Sequence, residues 1–401
     1  MTGRRSAGWI VSVRRACGKL LLACATASCS LLTGAESNGA ERVQWRLPIA
    51  DPPASFEAPA VSGERLFVKL SPTLVGAFAL ADRRQLWRVA LPPEGSGVDG
   101  GPSNAVVCAG VVVVGQIGRV IGLTADDGTQ RWSAPLSRGG ALVTGQLRCQ
   151  DGVVYVGTFR PAIVYAIDAS TGRERWARSM YDLPSVNAFA INPLPAGRIV
   201  VVGTREFSVP LRGFIVGLDV DSGREVWRFT WQPESPSGWG SWNPGGTCDG
   251  SLCVVSVDDG RVFAMDAATG AVRWTAPAVP GYATPADDRP IAITDSVVLV
   301  GSRSGVLTAL RLGTGERLWT VGSLAQAFEY SVYREIQASG GAFLIVNSGL
   351  QLIAIDARSG DVLWRANHRS FPLGGYYPMG AVAGNTWIVT STDGLYGLRI
   401  R

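Results

Sequence analysis

Two stretches of this sequence have nearly the same form: YAIDASTGRERW at residues 165–176 and FAMDAATGAVRW at residues 263–274. Shorter copies occur at residues 219–227 and 356–364. In each copy an aspartate precedes a serine or threonine, then a glycine, then a tryptophan. The carboxylate can accept hydrogen bonds from backbone N–H groups about two residues later, and glycine supplies the positive φ of a tight turn. The phrase therefore predicts a hairpin turn that leads into a strand carrying the tryptophan.

The tryptophans recur at intervals of 42 to 51 residues, at Trp45, Trp87, Trp132, Trp176, Trp227, Trp274, Trp319 and Trp364. This period matches the roughly 40–50 residues of a four-stranded propeller blade. Alternating β-branched segments, such as residues 110–115 and 151–157, precede the phrases and indicate strands. Each tryptophan gives its blade a large apolar plate to bury against a neighbour. The sequence therefore predicts an all-β fold, an eight-bladed β-propeller of four-stranded repeats over residues 42–401.

Both ends of the repeat array are incomplete. Residues 391–401 stop before any tryptophan strand, and residues 42–47 lack the strands that should precede them. We therefore expect the N-terminal strand to complete the last blade and close the ring, which removes open sheet edges. The phrase has decayed at Ala79, Arg83, Thr124 and Arg311. We assign these substitutions no function.

The N-terminus has the form of an export signal. A basic segment leads into an apolar stretch at residues 20–28, which is far shorter than the roughly 20 residues of a membrane span. TASC at residues 26–29 is similar to a bacterial lipobox and predicts lipidation at Cys29 after removal of signal peptide 1–28, with residues 29–41 as a linker. Cys24 and ordinary cleavage near Ala35 are the alternatives. We expect an outer-membrane lipoprotein facing the periplasm, or a soluble periplasmic protein.

The charge of the body excludes one class of partner. Of 37 basic residues, five precede Cys29, where there is no acidic residue, so 32 basic residues oppose 32 acidic ones in the remainder. A neutral surface has no field to attract a polyanion, so we expect no nucleic-acid binding.

Four cysteines follow Cys29. Cys248 and Cys253 bracket an Asp-Gly turn and could face each other across a hairpin, either as a disulfide or as two buried thiols. Cys108 and Cys149 occupy nearly the same place in consecutive repeats. We interpret the second pair as small core residues rather than as a bridge.

The sequence offers little for catalysis. His368 is the single histidine, which argues against a histidine-based metal cluster and a Ser-His-Asp triad. The Asp-Gly pairs are dispersed through turns and lack the ligand spacing of a calcium loop. We predict no catalytic residue, no metal and no cofactor.

The connections between blades are long and aromatic, and in a propeller they emerge on one face. Aromatic side chains concentrated in loops are typical of recognition surfaces. The alternative is that the rings pack against one another in the funnel. The candidates for partner binding are Trp231, Trp239, Trp242, Tyr330, Tyr333, Tyr376 and Tyr377.

The Asp-x-x-Ser/Thr-Gly-x-x-x-Trp phrase resembles the signature of PQQ-like propeller repeats, which marks the fold and does not imply that the quinone binds. Length, export signal and strand closure are most similar to the BamB family of outer-membrane assembly lipoproteins. This resemblance implies a non-enzymatic, monomeric periplasmic scaffold that binds an envelope protein through its loops. Residues 182–189 resemble part of such a partner-binding loop, which adds Asp182, Val186 and Phe189 to the candidates. The Leu-Arg that follows in the family is absent.

Two other functions remain open. A PQQ-dependent or other small-molecule-binding enzyme would use the funnel, although the adjacent cysteine pair typical of quinone-dependent dehydrogenases is missing. The third hypothesis is a secreted propeller that binds polysaccharide or peptide through the tryptophan-containing loop.

Overall fold

The structure is a computed structural model. It describes residues 39–49, 58–93, 104–138, 142–143, 147–159, 162–180, 191–205, 213–231, 246–257, 260–277, 291–301, 306–322, 333–347, 351–366, 380–391 and 393–401. Within these ranges the regular structure is β-strand, apart from one short 3-10 helix at Gly39–Arg42.

The strands form eight antiparallel sheets, named blades 1 to 8. Blades 1 and 2 contain β2 (Ala60–Ser62), β3 (Arg65–Ser71), β4 (Leu74–Ala79), β5 (Gln85–Ala90), and β6 (Val106–Cys108), β7 (Val111–Gln116), β8 (Arg119–Thr124), β9 (Gln130–Pro135). Blades 3 and 4 contain β10 (Leu142–Val143), β11 (Arg148–Gln150), β12 (Val153–Phe159), β13 (Ile163–Asp168), β14 (Glu174–Ser179), and β15 (Ile191–Ala196), β16 (Ile199–Arg205), β17 (Gly213–Asp219), β18 (Glu225–Trp231). Blades 5 and 6 contain β19 (Gly246–Asp249), β20 (Leu252–Ser256), β21 (Arg261–Asp266), β22 (Val272–Pro277), and β23 (Ile291–Thr294), β24 (Val297–Gly301), β25 (Leu307–Arg311), β26 (Arg317–Val321). Blades 7 and 8 contain β27 (Tyr333–Ser339), β28 (Ala342–Asn347), β29 (Leu352–Asp356), β30 (Val362–Ala366), and β31 (Gly380–Ala383), β32 (Thr386–Ser391), β33 (Gly394–Arg399), β1 (Val43–Pro48).

The sheets are arranged as a ring. First strands of neighbouring blades contact each other, for example β2 with β6, β15 with β19, and β31 with β2. The first strand of each blade is therefore the inner strand and the last is the outer strand; in blade 3, β10 and β11 together take the place of the inner strand. Eight clusters of buried apolar side chains fill the interior, one between each pair of neighbouring blades. The predicted eight-bladed propeller is confirmed.

The N-terminal strand closes the ring. β1 pairs antiparallel with β33, with Val43 opposite Leu398 and Pro48 opposite Gly394. Blade 8 is thus built from three C-terminal strands and one N-terminal strand. The predicted strand closure is confirmed.

The repeated tryptophans join consecutive blades through one recurrent hydrogen bond. In seven of the eight, the indole Nε1–H donates to a backbone carbonyl of the next blade over 2.8–3.0 Å. The accepting carbonyls belong to Ala125, Ala169, Val220, Ala267, Leu312, Ala357 and Ile400. Each repeat tryptophan therefore buries apolar area and also holds the next blade in position through its hydrogen bond.

The turn of the phrase in blade 3 shows why its residue types recur. Asp168 Oδ1 accepts from the backbone N–H groups of Ser170 and Thr171, each over 3.1 Å. Gly172 has a φ of +73°, and a Cβ added there would lie 2.6 Å from the Trp132 ring of blade 2. Glycine is needed for both reasons, the backbone conformation and the close approach of the neighbouring indole.

Both cysteine pairs are disulfides. Cys248 and Cys253 stand opposite each other on β19 and β20 and are bonded. Cys108 and Cys149 are also bonded, so their interpretation as separate core residues is wrong. The reason is the ring itself, because the inner strands of consecutive blades lie side by side and the two cysteines are only one repeat position apart. Their Cα atoms are 5.7 Å apart.

Candidate functional site: the loop face of the propeller

The ring has two faces with different connections. The turns between first and second strands and between third and fourth strands lie on one face, which we call the turn face. The opposite face carries the turns between second and third strands and the connections from each outer strand to the next inner strand. We call it the loop face.

The connections that hold the predicted partner-binding residues all belong to the loop face. Residues 182–189 lie between β14 and β15, and Trp239 and Trp242 between β18 and β19. Tyr330 precedes β27, and Tyr376 and Tyr377 lie between β30 and β31. These are all outer-to-inner connections, so the strand ends that bracket them share one face.

Most of these residues lie outside the described ranges. They are Asp182, Val186, Phe189, Trp239, Trp242, Tyr330, Tyr376 and Tyr377, together with Cys29 and His368. Tyr333 is described as the first residue of β27, where its backbone pairs with Asn347 at the loop-face end of an inner strand.

Trp231 is also described, and it does not fit the predicted exposed surface. It ends β18, is 5% exposed, and packs in the cluster between blades 4 and 5. It is the fourth residue after Trp227. The same offset after the repeat tryptophan holds buried residues in other blades, namely Ile49, Leu91, Leu136 and Met180. Counting this offset would have identified Trp231 as a core residue from the sequence.

Backbone hydrogen bonds fix where the connections begin. The N–H groups of Leu91, Leu136 and Met180 donate to the carbonyls of Thr73, Gly118 and Ala162 over 2.7–2.9 Å. The first residue beyond the outer strand is thus still held by the turn between strands two and three. The rigid blades therefore present each of these connections from a defined point.

Blades 1 and 2 meet at the loop face through buried polar side chains that the sequence analysis missed. Lys69, which is 5% exposed, donates from Nζ to the Gly115 carbonyl of blade 2 over 3.1 Å. Gln116 donates from Nε2 to the carbonyls of Pro72 and Pro92 over 3.1 and 3.0 Å. Blades 2, 3, 4 and 6 have glycine at the repeat position of Lys69, so comparing the repeats would have singled it out. Both side chains bridge the two blades.

The perturbed carboxylates lie on the other face. Hydrogen bonds from the Ser170 hydroxyl and the Arg175 guanidinium hold the pKa of Asp168 well below its usual value. Arg273 and Thr269 likewise lower the pKa of Asp266. These groups cap turns and stay ionised near neutral pH, where a general acid or base would need a pKa close to the working pH.

No group of three histidine, cysteine, aspartate or glutamate side chains in the described ranges could hold a metal ion. No described helix is long and apolar enough to span a membrane.

The repeats of this chain match those of a known protein family. A family model described as outer membrane protein assembly factor BamB matches residues 22–208 and 211–389. The chain belongs to this family of PQQ-like propellers. The BamB family thus accounts for the repeat phrase, and its match extends over nearly all of the ring.

Individual relatives are more distant. A BamB of Burkholderia pseudomallei is 28% identical over 277 residues, which is 66% of this chain and 66% of the relative. A polyvinylalcohol dehydrogenase of a Sphingopyxis species is 26% identical over 50% of this chain and 42% of the enzyme. The crystal structure of BamB from Moraxella catarrhalis has a TM-score of 0.60 at 16% identity, covering 89% of this chain and 96% of that one. The chain aligns with between a third and about two thirds of the length of the first BamB relatives.

Proposed function

We propose that this protein is a non-enzymatic scaffold of the bacterial envelope that takes part in outer-membrane protein assembly, as the relatives named BamB do. It binds a protein partner through the loop face and acts as a single propeller. It is exported, faces the periplasm, and is anchored to the outer membrane by lipid at Cys29.

The observation that carries the proposal is the separation of roles between the two faces. The tryptophan bonds, the close glycines and the ionised aspartates belong to the turn face and to the interfaces between blades. The aromatic connections belong to the loop face, where the repeats have no packing phrase in common. A surface of that kind suits recognition rather than bond chemistry.

The candidate contact residues are Trp239, Trp242, Tyr330, Tyr333, Tyr376 and Tyr377, with Asp182, Val186 and Phe189 in the connection after β14. Tryptophan and tyrosine dominate interface hot spots, because they bury a large area with few rotatable bonds. The body of the chain is neutral, so partner capture depends on aromatic burial and hydrogen bonding more than on electrostatic steering. We leave the buried Trp231 out of this surface.

Capture of the partner from detergent-solubilised envelopes tests the proposal. Trp239→Ala combined with Trp242→Ala should weaken capture by about 2 kcal/mol, roughly 30-fold in Kd, with unchanged thermal unfolding. Val226→Ala is the matched control, because Val226 is 54% exposed on the outer strand β18 and away from the loop face. Unchanged capture together with a lower melting temperature would show that the two rings pack the fold.

The anchor is tested separately. Cys29→Ala should release the protein into the soluble periplasmic fraction, because the acyl chains hold it on the membrane. Release by Cys24→Ala instead of Cys29→Ala would move the lipidation site to Cys24.

A quinone-dependent enzyme is the second candidate, favoured by the likeness to a polyvinylalcohol dehydrogenase. The residues do not fit this activity, since the described ranges contain no cluster of three histidine, cysteine, aspartate or glutamate side chains that could hold a metal ion and the sequence has no adjacent cysteine pair. Incubation with PQQ and calcium decides the matter: quinone absorbance in the purified protein with dye reduction would replace the scaffold proposal.

A further inference from the structure

The Cys108–Cys149 disulfide joins two blades at their inner edge. Cys108 ends β6, the inner strand of blade 2, and Cys149 is the middle residue of β11 in blade 3. The bond closes a segment of 41 residues that includes all of the outer three strands of blade 2. Cys108 is 1% exposed, whereas Cys149 is half-buried.

A second contact fastens the same pair of inner segments. Asn104 Oδ1 accepts from the backbone N–H of Leu147 over 2.7 Å, and Asn104 Nδ2 donates to the Leu147 carbonyl over 3.5 Å. The side-chain amide thus pairs with both the N–H and the carbonyl of one residue in the next blade, as a residue of an antiparallel strand would. Two contacts made by side chains therefore converge where blades 2 and 3 meet.

The strands at this junction are short. β6 and β11 contain three residues each, as does the inner strand β2, whereas the inner strands β15 and β27 contain six and seven. The inner strand of blade 3 is also divided, because β10 and β11 both pair with β12 at separate places. β11 pairs with β12 at three residues, so the disulfide to blade 2 adds a covalent restraint to a short ladder.

We propose that Cys108 and Cys149 are a modification site for a dithiol–disulfide oxidase of the cell envelope, and that the bond it makes fixes the inner strand of blade 3 to blade 2. The inference rests on the export included in the proposed function, because such oxidases act in oxidising compartments.

The difference in exposure sets the order of the two chemical steps. The Cys149 thiolate attacks the oxidase disulfide, forming a mixed disulfide and releasing one oxidase thiolate. The Cys108 thiolate then attacks Sγ of Cys149 and expels the second oxidase thiolate. The chain loses two electrons and two protons, and the oxidase is reduced to its dithiol. Cys108 is the more buried of the two, which makes it the resolving cysteine.

The second disulfide of the chain provides a matched control. Cys248 and Cys253 are five residues apart in one hairpin, with Cα atoms 4.0 Å apart. Closing so short a loop removes less entropy from the unfolded chain than closing 41 residues does. Loss of the inter-blade bond should therefore lower stability more than loss of the hairpin bond.

Thiol mapping by alkylation and mass spectrometry tests the site on the full chain, exported in strains with and without the envelope dithiol oxidase. Cys108 and Cys149 should resist alkylation in the first strain and be alkylated in the second. Cys108→Ala with Cys149→Ala should lower the melting temperature by about 5 °C, against about 3 °C for Cys248→Ala with Cys253→Ala. Cys149→Ser alone, which keeps the Cys108 thiol, should give a similar loss.

Alkylation of both cysteines in exported protein from the oxidase-containing strain would overturn the inference, as would a closed bond in both strains. Equal melting temperatures for the inter-blade variants and the parent would overturn the structural role. Protein found only in the cytoplasm would contradict the proposed function instead. Thiol state and location together therefore separate the two failures.

Discussion

The turn face and the loop face treat the same repeat in opposite ways. All seven turns between third and fourth strands contain five residues, including the blade 1 turn, which has lost both the aspartate and the glycine. The connections from outer to inner strands range from 6 to 15 residues. The length is uniform in the turns against which a neighbouring tryptophan packs, and it varies in the connections of the loop face.

Blade 1 shows how strongly the turn face is constrained. Arg83 replaces the glycine and still has a φ of +63°. Its guanidinium lies 5.5 Å from the centroid of the Trp45 ring, and Nη1 donates to the Leu80 carbonyl over 3.2 Å. An arginine thus stacks on the indole in place of the close glycine. The residue types have changed, while the geometry of the turn has not.

The largest expected effect on stability comes from removing one of the repeat tryptophans. Trp132→Ala deletes a buried indole and its 2.9 Å hydrogen bond to the Ala169 carbonyl, so we expect a loss of about 3–5 kcal/mol in unfolding free energy. Partner capture by the fraction that remains folded should be unchanged. Denaturant unfolding combined with a capture assay measures both. Reduced capture by folded protein would remove the distinction between the faces.

A smaller effect is expected at Trp231, which separates packing from recognition on the loop face. Trp231→Leu restores the residue type of Leu91 and Leu136 and deletes an indole N–H that has no hydrogen-bond partner among the described residues. We expect Trp231→Leu to lower the unfolding free energy by about 1–2 kcal/mol and to leave partner capture unchanged. Thermal unfolding and capture should be compared with Trp239→Ala in parallel. Loss of capture in the leucine variant would return Trp231 to the binding surface.

The smallest effect is expected from the carboxylate of a single turn. Asp168→Asn should cost about 1 kcal/mol at pH 7, because it loses the ion pair with Arg175 over 2.6 Å. The pKa of Asp168 is lowered in the folded chain, so its contribution is complete above the unfolded pKa near 4 and is lost as the pH falls below it. Parent and variant should therefore converge in urea unfolding between pH 4 and pH 2. Asp249→Asn, at the exposed end of β19, is the control; a constant difference in unfolding free energy at all pH values would contradict the assignment.

The blade count and the closure of the ring by the N-terminal strand could be predicted from the sequence, because both follow from the spacing of the repeats. The tryptophan spacing counts blades, and the two incomplete ends can only complete each other. The disulfide between Cys108 and Cys149 was missed because their equivalent positions were compared along the chain and not around the ring. Trp231 was misjudged because its neighbours in sequence are loop residues, whereas its repeat position is a core position. Lys69 has no sequence signal except its departure from glycine at that position.

Closure of the ring by β1 also affects the order of folding. Val43 pairs with Leu398, so the first strand to be synthesised must wait for the last one before it has a partner. Contacts of such sequence separation form slowly, because the intervening chain must first be ordered. Blades 1 to 7 can each assemble from consecutive strands, and closure is then the final event of folding. A nascent chain therefore remains open between blades 8 and 1 until β33 has been synthesised and can pair with β1.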